Sequence, residues 1–76
     1  MKIEILGSGC PKCQKLEAMV KGAVAKHGIK GEVSHIYDVD KIVEYGVMMT
    51  PALVIDGKVK LAGRLPSENE LLSLLK

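Results

Sequence analysis

The 76-residue sequence contains no tryptophan and no phenylalanine, and only two tyrosines. Proteins that bind nucleic acid by base stacking need aromatic side chains, and a net charge of +2 provides no strongly basic surface, so we expect no nucleic-acid partner. Without Trp or Phe the core must come from Ile, Val, Leu, Met and Ala, and a hydrophobic content of 47% is enough for one. The composition predicts a small domain with an aliphatic core.

Long hydrophobic runs are also absent. No apolar stretch is long enough to span a membrane, and the one in the first ten residues is too short for the core of a secretory signal peptide. We therefore expect a soluble, cytoplasmic, monomeric protein with no membrane partner. Its length predicts a single domain over residues 1–76.

Only two cysteines are present, Cys10 and Cys13. A zinc site needs four ligands, and the candidates to join the two cysteines are His27 and His35. His27 lies about 20 Å from Cys13 along a helix that rises 1.5 Å per residue, so it cannot complete a site with them. A Cys-x-x-Cys pair in a reducing compartment indicates redox chemistry or a bound metal rather than a structural disulfide.

The strongest structural pattern surrounds this pair. Residues 2–6 alternate as a short strand, and a Gly-Ser-Gly loop follows them. Pro11 suits the first turn of a helix that Cys10 caps, and Gly28 is a helix stop. The predicted helix has an apolar stripe that consists of Leu16, Met19, Val20, Ala23 and Val24.

A second strand and a short helix come next. Residues 31–39 are rich in β-branched side chains of mixed polarity, which predicts a strand. Asp38 or Asp40 then caps a helix through residues 41–45, and Gly46 ends that helix.

The last third predicts a hairpin and a helix. Asp56-Gly57 between two apolar runs is a strong turn signal, and Ser67 with Glu70 matches a capping box ahead of a helix through residues 71–76. We therefore predict a β-α-β-α-β-β-α α/β fold with one mixed four-stranded sheet and helices on both faces. Right-handed crossovers favour parallel pairing of the first strands, and the hairpin is antiparallel.

The helical stripe makes the two cysteines unequal. Cys13 is three residues before Leu16 and continues the buried stripe, whereas Cys10 lies at the exposed helix tip. The helix N-terminus, with Lys12 and Lys15 nearby, is expected to lower the pKa of Cys10, while burial raises that of Cys13. We therefore predict that Cys10 is the nucleophile and Cys13 the resolving cysteine.

The Cys-Pro-Lys-Cys motif, together with Thr50-Pro51 before the hairpin, resembles the thioredoxin/glutaredoxin superfamily, most closely the small thioredoxin-like redox-disulfide proteins of archaea and bacteria. The resemblance implies a thioredoxin-like fold and a thiol–disulfide oxidoreductase that reduces protein disulfides. It also implies a thioredoxin-reductase-like flavoprotein as electron donor and no bound cofactor or metal.

The resemblance also assigns the site. It implies that Pro51 is a cis proline lying against the cysteines and that Thr50 offers its backbone to the substrate. Where glutaredoxins have Gly-Gly and an acidic residue, this chain has Gly63 between Ala and Arg, so a glutathione site is not expected. The expected catalytic residues are Cys10, Pro11, Lys12 and Cys13, and the expected substrate-binding residues are Met49, Thr50, Pro51 and Gly63.

Glu4 is six residues before Cys10, where many thioredoxins have a buried carboxylate. It is a candidate proton acceptor for Cys13. The alternative is an exposed glutamate on a short strand, which the usual exposure of charged residues favours.

Two other functions remain open. The same two thiolates suffice for a soft ion such as Cu(I), so the chain could be a copper- or zinc-binding module. A non-redox interaction domain is the third alternative. Met48 and Met49 are equally compatible with core packing and with a substrate groove, since Met surfaces adapt to varied partners.

Overall fold

A computed structural model describes residues 1–75 of the chain. Its elements are β1 (Lys2–Leu6), α1 (Pro11–His27), β2 (Glu32–Ile36), α2 (Val39–Glu44), β3 (Ala52–Ile55), β4 (Lys58–Ala62) and α3 (Glu68–Leu75). This is the predicted order. The last position of the predicted final helix, Lys76, lies outside the described residues.

The four strands form one mixed sheet in the order β2-β1-β3-β4. β1 and β2 are parallel, with α1 as the crossover, and Ile5 pairs with His35. β3 runs antiparallel to both β1 and β4. Parallel pairing therefore stops at β2, and the α2 connection returns the chain in the opposite direction.

The helices lie on both faces of the sheet, as predicted. One face carries α1 and α3, whose Leu16 and Leu71 pack with Ile3 and Ile5. The other face carries α2, whose Ile42 packs with Leu6. Side chains alternate between the faces along a strand, so β1 contributes to both cores.

Turns and caps follow the sequence signals. Asp56 and Gly57 both have positive φ, 50° and 81°, as a type I′ hairpin turn requires. Gly28 ends α1 in the left-handed conformation, and the Asp38 carboxylate accepts from the Asp40 amide at the start of α2.

The predicted capping box at α3 is only half formed. The Ser67 hydroxyl accepts from the Glu70 amide, but the Glu70 carboxylate pairs with Arg64 instead of turning back to the Ser67 amide. The carboxylate bonds to the guanidinium rather than to the amide, because the guanidinium offers two charged donors and the amide offers one neutral donor.

Candidate active site

The loop between β1 and α1 presents the first cysteine at the tip of a helix. Cys10 is the N-cap residue, with extended backbone angles (φ −65°, ψ 164°), and Pro11 follows in the first turn. The Gln14 side chain donates to the Gly9 carbonyl at 2.9 Å, which ties the loop to the first turn of α1. The Cys10 side chain makes no capping bond, so its sulfur is available for other contacts.

The two cysteines differ as predicted. Both are free thiols, and their Sγ atoms are 2.7 Å apart. Cys13 is fully buried, while Cys10 is half-buried. The hydrogen bond between the sulfurs lowers the pKa of Cys10, with help from backbone amides, whereas burial and that same bond raise the pKa of Cys13.

The cause of the lowered Cys10 pKa differs in part from the expectation. The largest contribution comes from the Cys13 thiol, and the backbone of Cys13 and Lys12 adds to it. The amides of the first helical turn thus act as predicted. The Lys12 and Lys15 side chains are exposed, and water screens their charge. The expected help from these two ammonium groups is therefore replaced by a direct sulfur–sulfur hydrogen bond.

Gly7 makes the close packing of the buried sulfur possible. A Cβ atom at this position would lie 2.2 Å from Cys13 Sγ and 3.8 Å from Thr50 Cβ. Any side chain here would displace the sulfur. The backbone at Gly7 is thus the point where the cysteine loop meets the segment before β3.

The predicted substrate-binding residues lie together in that second segment. The Thr50–Pro51 peptide bond is cis, as the resemblance implied. The Pro51 carbonyl accepts from the Gly63 amide at 2.8 Å, and a Cβ on Gly63 would lie 3.1 Å from Met49 Cβ. The four residues therefore lie together, with Thr50 beside Gly7; Met49 and Thr50 are exposed, whereas the Pro51 side chain is fully buried.

Met48 and Met49 are not core residues. They are 96% and 65% exposed, so the core-packing alternative is wrong. A groove of about 610 Å³ lies beside Met48, between α2 and the cysteine loop, and it is lined by Ser8, Val39, Ile42, Val43, Gly46, Val47, Met48 and Thr50. Most of this lining is apolar, and three of its larger side chains are exposed without being needed for the core.

Glu4 is buried, which contradicts the favoured expectation of an exposed strand residue. It is 5% exposed and lies on the α2 face of the sheet, where the Tyr45 hydroxyl donates to its carboxylate at 2.7 Å. This bond and burial raise the pKa of Tyr45. The partner of the Cys13 sulfur is Cys10 rather than Glu4, so a role for Glu4 as proton acceptor stays a prediction.

His35 was not among the predicted site residues. Its side chain is 7% exposed and contacts Glu17 on α1 and the carbonyl of Gly7. The sequence suggested it only as a candidate metal ligand, and its place in a strand of mixed polarity did not point to the cysteine loop. The contact with Gly7 nevertheless places it directly behind the cysteine loop.

Other findings bear on ligands and membranes. Within residues 1–75, no group of three or more His, Cys, Asp or Glu side chains is placed to hold a metal ion. None of the helices described is long and apolar enough to cross a membrane.

Comparison with known proteins agrees with the fold. A family model described as a thioredoxin domain matches residues 1–76. The chain belongs to the thioredoxin family. It is 41% identical over 75 residues to a thioredoxin of Methanothermobacter thermautotrophicus, an alignment that covers 99% of this chain and 97% of that protein.

Two further relatives match over nearly the same length. A thioredoxin of Methanocaldococcus jannaschii is 39% identical over 97% of this chain and 85% of its own. A probable thioredoxin of M. thermautotrophicus is 37% identical over 93% of this chain and 87% of its own. These similarities support an oxidoreductase role of the thioredoxin type.

Proposed function

We propose that the protein reduces protein disulfides by dithiol exchange, with Cys10 as the attacking cysteine and Cys13 as the resolving one. The observation that carries this proposal is the inequality of the two sulfurs. The more exposed sulfur has the lowered pKa, and the buried sulfur beside it has the raised pKa. A thiolate is the nucleophile in such exchange, so the cysteine that reaches solvent is also the one prepared to attack.

The reaction balances with these two residues alone. The Cys10 thiolate attacks one sulfur of a substrate disulfide, forms a mixed disulfide and expels the other sulfur as a thiolate. Cys13 then loses its proton to that leaving sulfur and attacks Cys10, which releases the second substrate sulfur. Two electrons pass to the substrate, and the protein is left with a Cys10–Cys13 disulfide.

The short distance between the sulfurs favours the second step. They are 2.7 Å apart in the dithiol form, and a disulfide bond measures about 2.0 Å, so little movement closes the bond. Release of the substrate is therefore intramolecular and does not wait for a second reductant.

The surface beside Gly7 is proposed to hold the substrate chain. Met49, Thr50, Pro51 and Gly63 lie together there, and Thr50 also lines the apolar groove. Thr50 is exposed, and its backbone groups are proposed to pair with an extended peptide, while the adaptable Met48 and Met49 side chains suit varied sequences. Lys12 and Pro11 lie at the exposed helix tip, where they would border the incoming disulfide.

Return to the dithiol needs an electron donor. A flavoprotein of the thioredoxin-reductase type is proposed for this step, by analogy with the family. The proposed exchange requires no bound cofactor, because both electrons reside on Cys10 and Cys13.

Insulin reduction tests the proposal. We expect the wild-type protein to accelerate reduction of insulin by dithiothreitol, measured as turbidity, and the Cys10→Ser variant to lose this activity. The matched Cys13→Ser variant keeps the nucleophile, so it should lose turnover but accumulate a mixed disulfide visible by mass spectrometry under non-reducing conditions. Full activity in Cys10→Ser would contradict the assignment.

The same variants address the metal alternative. Tight Cu(I) or Zn(II) binding by the wild-type protein, lost in both serine variants and accompanied by no insulin reduction, would replace the redox proposal with metal binding. Exchange activity with weak metal binding supports the redox proposal.

A further inference from the structure

A buried histidine connects the cysteine loop to the helix that follows it. The Nδ1 atom of His35 hydrogen bonds with the Glu17 carboxylate, and its Nε2 atom lies 3.2 Å from the Gly7 carbonyl oxygen. Both partners are acceptors, since a carboxylate and a carbonyl have no proton to donate. The two ring nitrogens of His35 therefore each face a group that requires an N–H.

Only one ionisation state satisfies both contacts. A neutral imidazole carries a single N–H, which would leave the other nitrogen's lone pair against an oxygen, whereas an imidazolium donates to both. The side chain of His35 is 7% exposed, so water cannot readily supply the missing partner.

Tyr37 makes a contact of the kind a cation favours. Its ring is stacked on the His35 ring with centroids 4.0 Å apart and planes 4° from parallel. The face of an aromatic ring attracts a positive charge above it.

These contacts reach the cysteines through the loop. The Gly7 backbone packs against the buried Cys13 sulfur, and a Cβ at Gly9 would lie 3.4 Å from the Tyr37 ring. Glu17 is one helical turn beyond Cys13 on α1. His35 thus contacts both the loop before the cysteines and the helix after them.

We infer that His35 is a positioning residue for the Cys10–Cys13 pair: as an imidazolium held between Glu17 and the Gly7 carbonyl, it fixes the loop against Cys13 and makes thiolate formation depend on its own charge. The inference rests on the proposed exchange reaction at these cysteines. It adds an ionisable group outside the Cys-x-x-Cys motif to the groups that set the reactivity of the pair.

The ionisable groups around the ring are few. Glu17 faces it from α1 and also pairs with Lys21, Tyr37 stacks on it just after the end of β2, and the cysteines lie across the Gly7 peptide. Hydrogen bonds from His35 and then Lys21 lower the pKa of the Glu17 carboxyl, which agrees with a charged carboxylate in this position. Loss of the imidazolium would remove one of the two positive partners of this carboxylate and the positive charge beside the Gly7 peptide.

The first test uses the wild-type protein and the two histidines of the chain. Imidazole ¹⁵N NMR distinguishes a doubly protonated ring from a neutral one. We expect both His35 nitrogens to carry protons in the folded dithiol protein, because each faces an acceptor, and their signals to move when the cysteines are oxidised to the disulfide. His27, exposed at the end of α1, should not respond and is the internal control. A neutral His35 ring, or one whose signals do not move on oxidation, would overturn the inference.

The second test measures thiolate reactivity. In His35→Gln we expect the rate of Cys10 alkylation by iodoacetamide at pH 7 to fall about three- to tenfold, because a neutral side chain no longer brings a positive charge to the Gly7 peptide that packs against Cys13. The alkylation–pH profile should move to higher pH. His27→Gln should match the wild type. Superimposable profiles for a folded His35→Gln protein would contradict the inference, and if that variant does not fold, the NMR test decides.

The two proposals fail in different ways. If the wild-type protein does not reduce insulin, the proposed function is wrong. If it reduces insulin at the normal rate but His35 responds to neither test, only the role of His35 is wrong.

Discussion

The two faces of the sheet differ in how much of their apolar surface the helices cover. Among residues 1–75, the face under α1 and α3 has ten buried residues in one cluster, whereas the face under α2 has five. α2 is a six-residue helix, too short to cover its face, and Val39 and Val43 on it stay exposed. The comparison indicates that the larger core supplies most of the stability and leaves the α2 face free to form a groove beside the cysteines.

The two faces also differ in the partner of a glutamate that links two elements. On the α2 face, Glu4 accepts from the hydroxyl of Tyr45. On the α1 face, Glu17 pairs with His35. The first partner is a neutral donor, while the second is a ring that can carry charge and also contacts the cysteine loop. A glutamate therefore holds a tyrosine against the sheet on the α2 face, whereas on the α1 face a glutamate contacts the cysteine loop through His35.

The largest effect is expected where the α1 face has no free space. Gly7→Ala places a methyl group on the Cys13 sulfur, and we expect it to lower the free energy of unfolding by up to about 3 kcal/mol and to slow insulin reduction. Gly22→Ala on the exposed side of α1 meets no atom within 4 Å and should raise stability by about 0.5–1 kcal/mol. Urea denaturation of both variants measures the contrast, and equal effects would contradict it.

Two valines compare the faces directly. Val20 on α1 is fully buried, and Val43 on α2 is 63% exposed. Val20→Ala removes two buried methyl groups and should cost about 2 kcal/mol in urea denaturation. Val43→Ala should change stability by less than about 0.5 kcal/mol but weaken insulin reduction through the groove. A stability loss in Val43→Ala equal to that in Val20→Ala would show that the α2 face is as tightly built as the other.

Alkaline pH should weaken the α2 face. The folded protein raises the pKa of Tyr45, because its hydroxyl donates to Glu4, so this contribution is intact below about pH 10 and lost as pH rises through the folded-state pKa. Tyr45→Phe should cost about 1–2 kcal/mol at pH 7 and flatten the alkaline fall in stability. Tyr37→Phe, at an exposed ring, should keep that fall. An unchanged alkaline limb in Tyr45→Phe would show that the bond to Glu4 contributes nothing.

Much of the fold was accessible from the sequence because its signals are local. The helix stripe through Leu16 and Val20, the cap at Cys10 and the Asp56-Gly57 turn each depend on residues within a few positions of one another. The inequality of the cysteines followed from the same stripe, since Cys13 lies on its buried side. These features needed no knowledge of distant contacts.

What the sequence could not provide depends on residues far apart in the chain. Glu4 is buried because it lies on β1, which is covered on both faces. Its carboxylate accepts a hydrogen bond from the hydroxyl of Tyr45, which is 41 positions later in the chain. His35 is placed at the cysteine loop by the parallel pairing of β2 with β1. The antiparallel direction of β3 likewise depends on how the chain returns after α2, which strand patterns do not encode.

The smallest change in stability is expected at acid pH, from a charged pair on the α1 face. The folded protein lowers the pKa of Glu17 because His35 and then Lys21 hydrogen bond to its carboxylate, so this contribution is intact above about pH 4.5 and lost as pH falls through the folded-state pKa. Glu17→Gln should therefore cost less than about 1 kcal/mol at pH 7 and reduce the acid fall in stability. Glu70→Gln, which breaks the pair with the exposed Arg64, should change the acid limb less, since exposed pairs contribute little. If stability falls equally at acid pH in the two variants, the Glu17–His35 pair contributes no more than a surface pair. Its contact with the cysteine loop would then add nothing to stability.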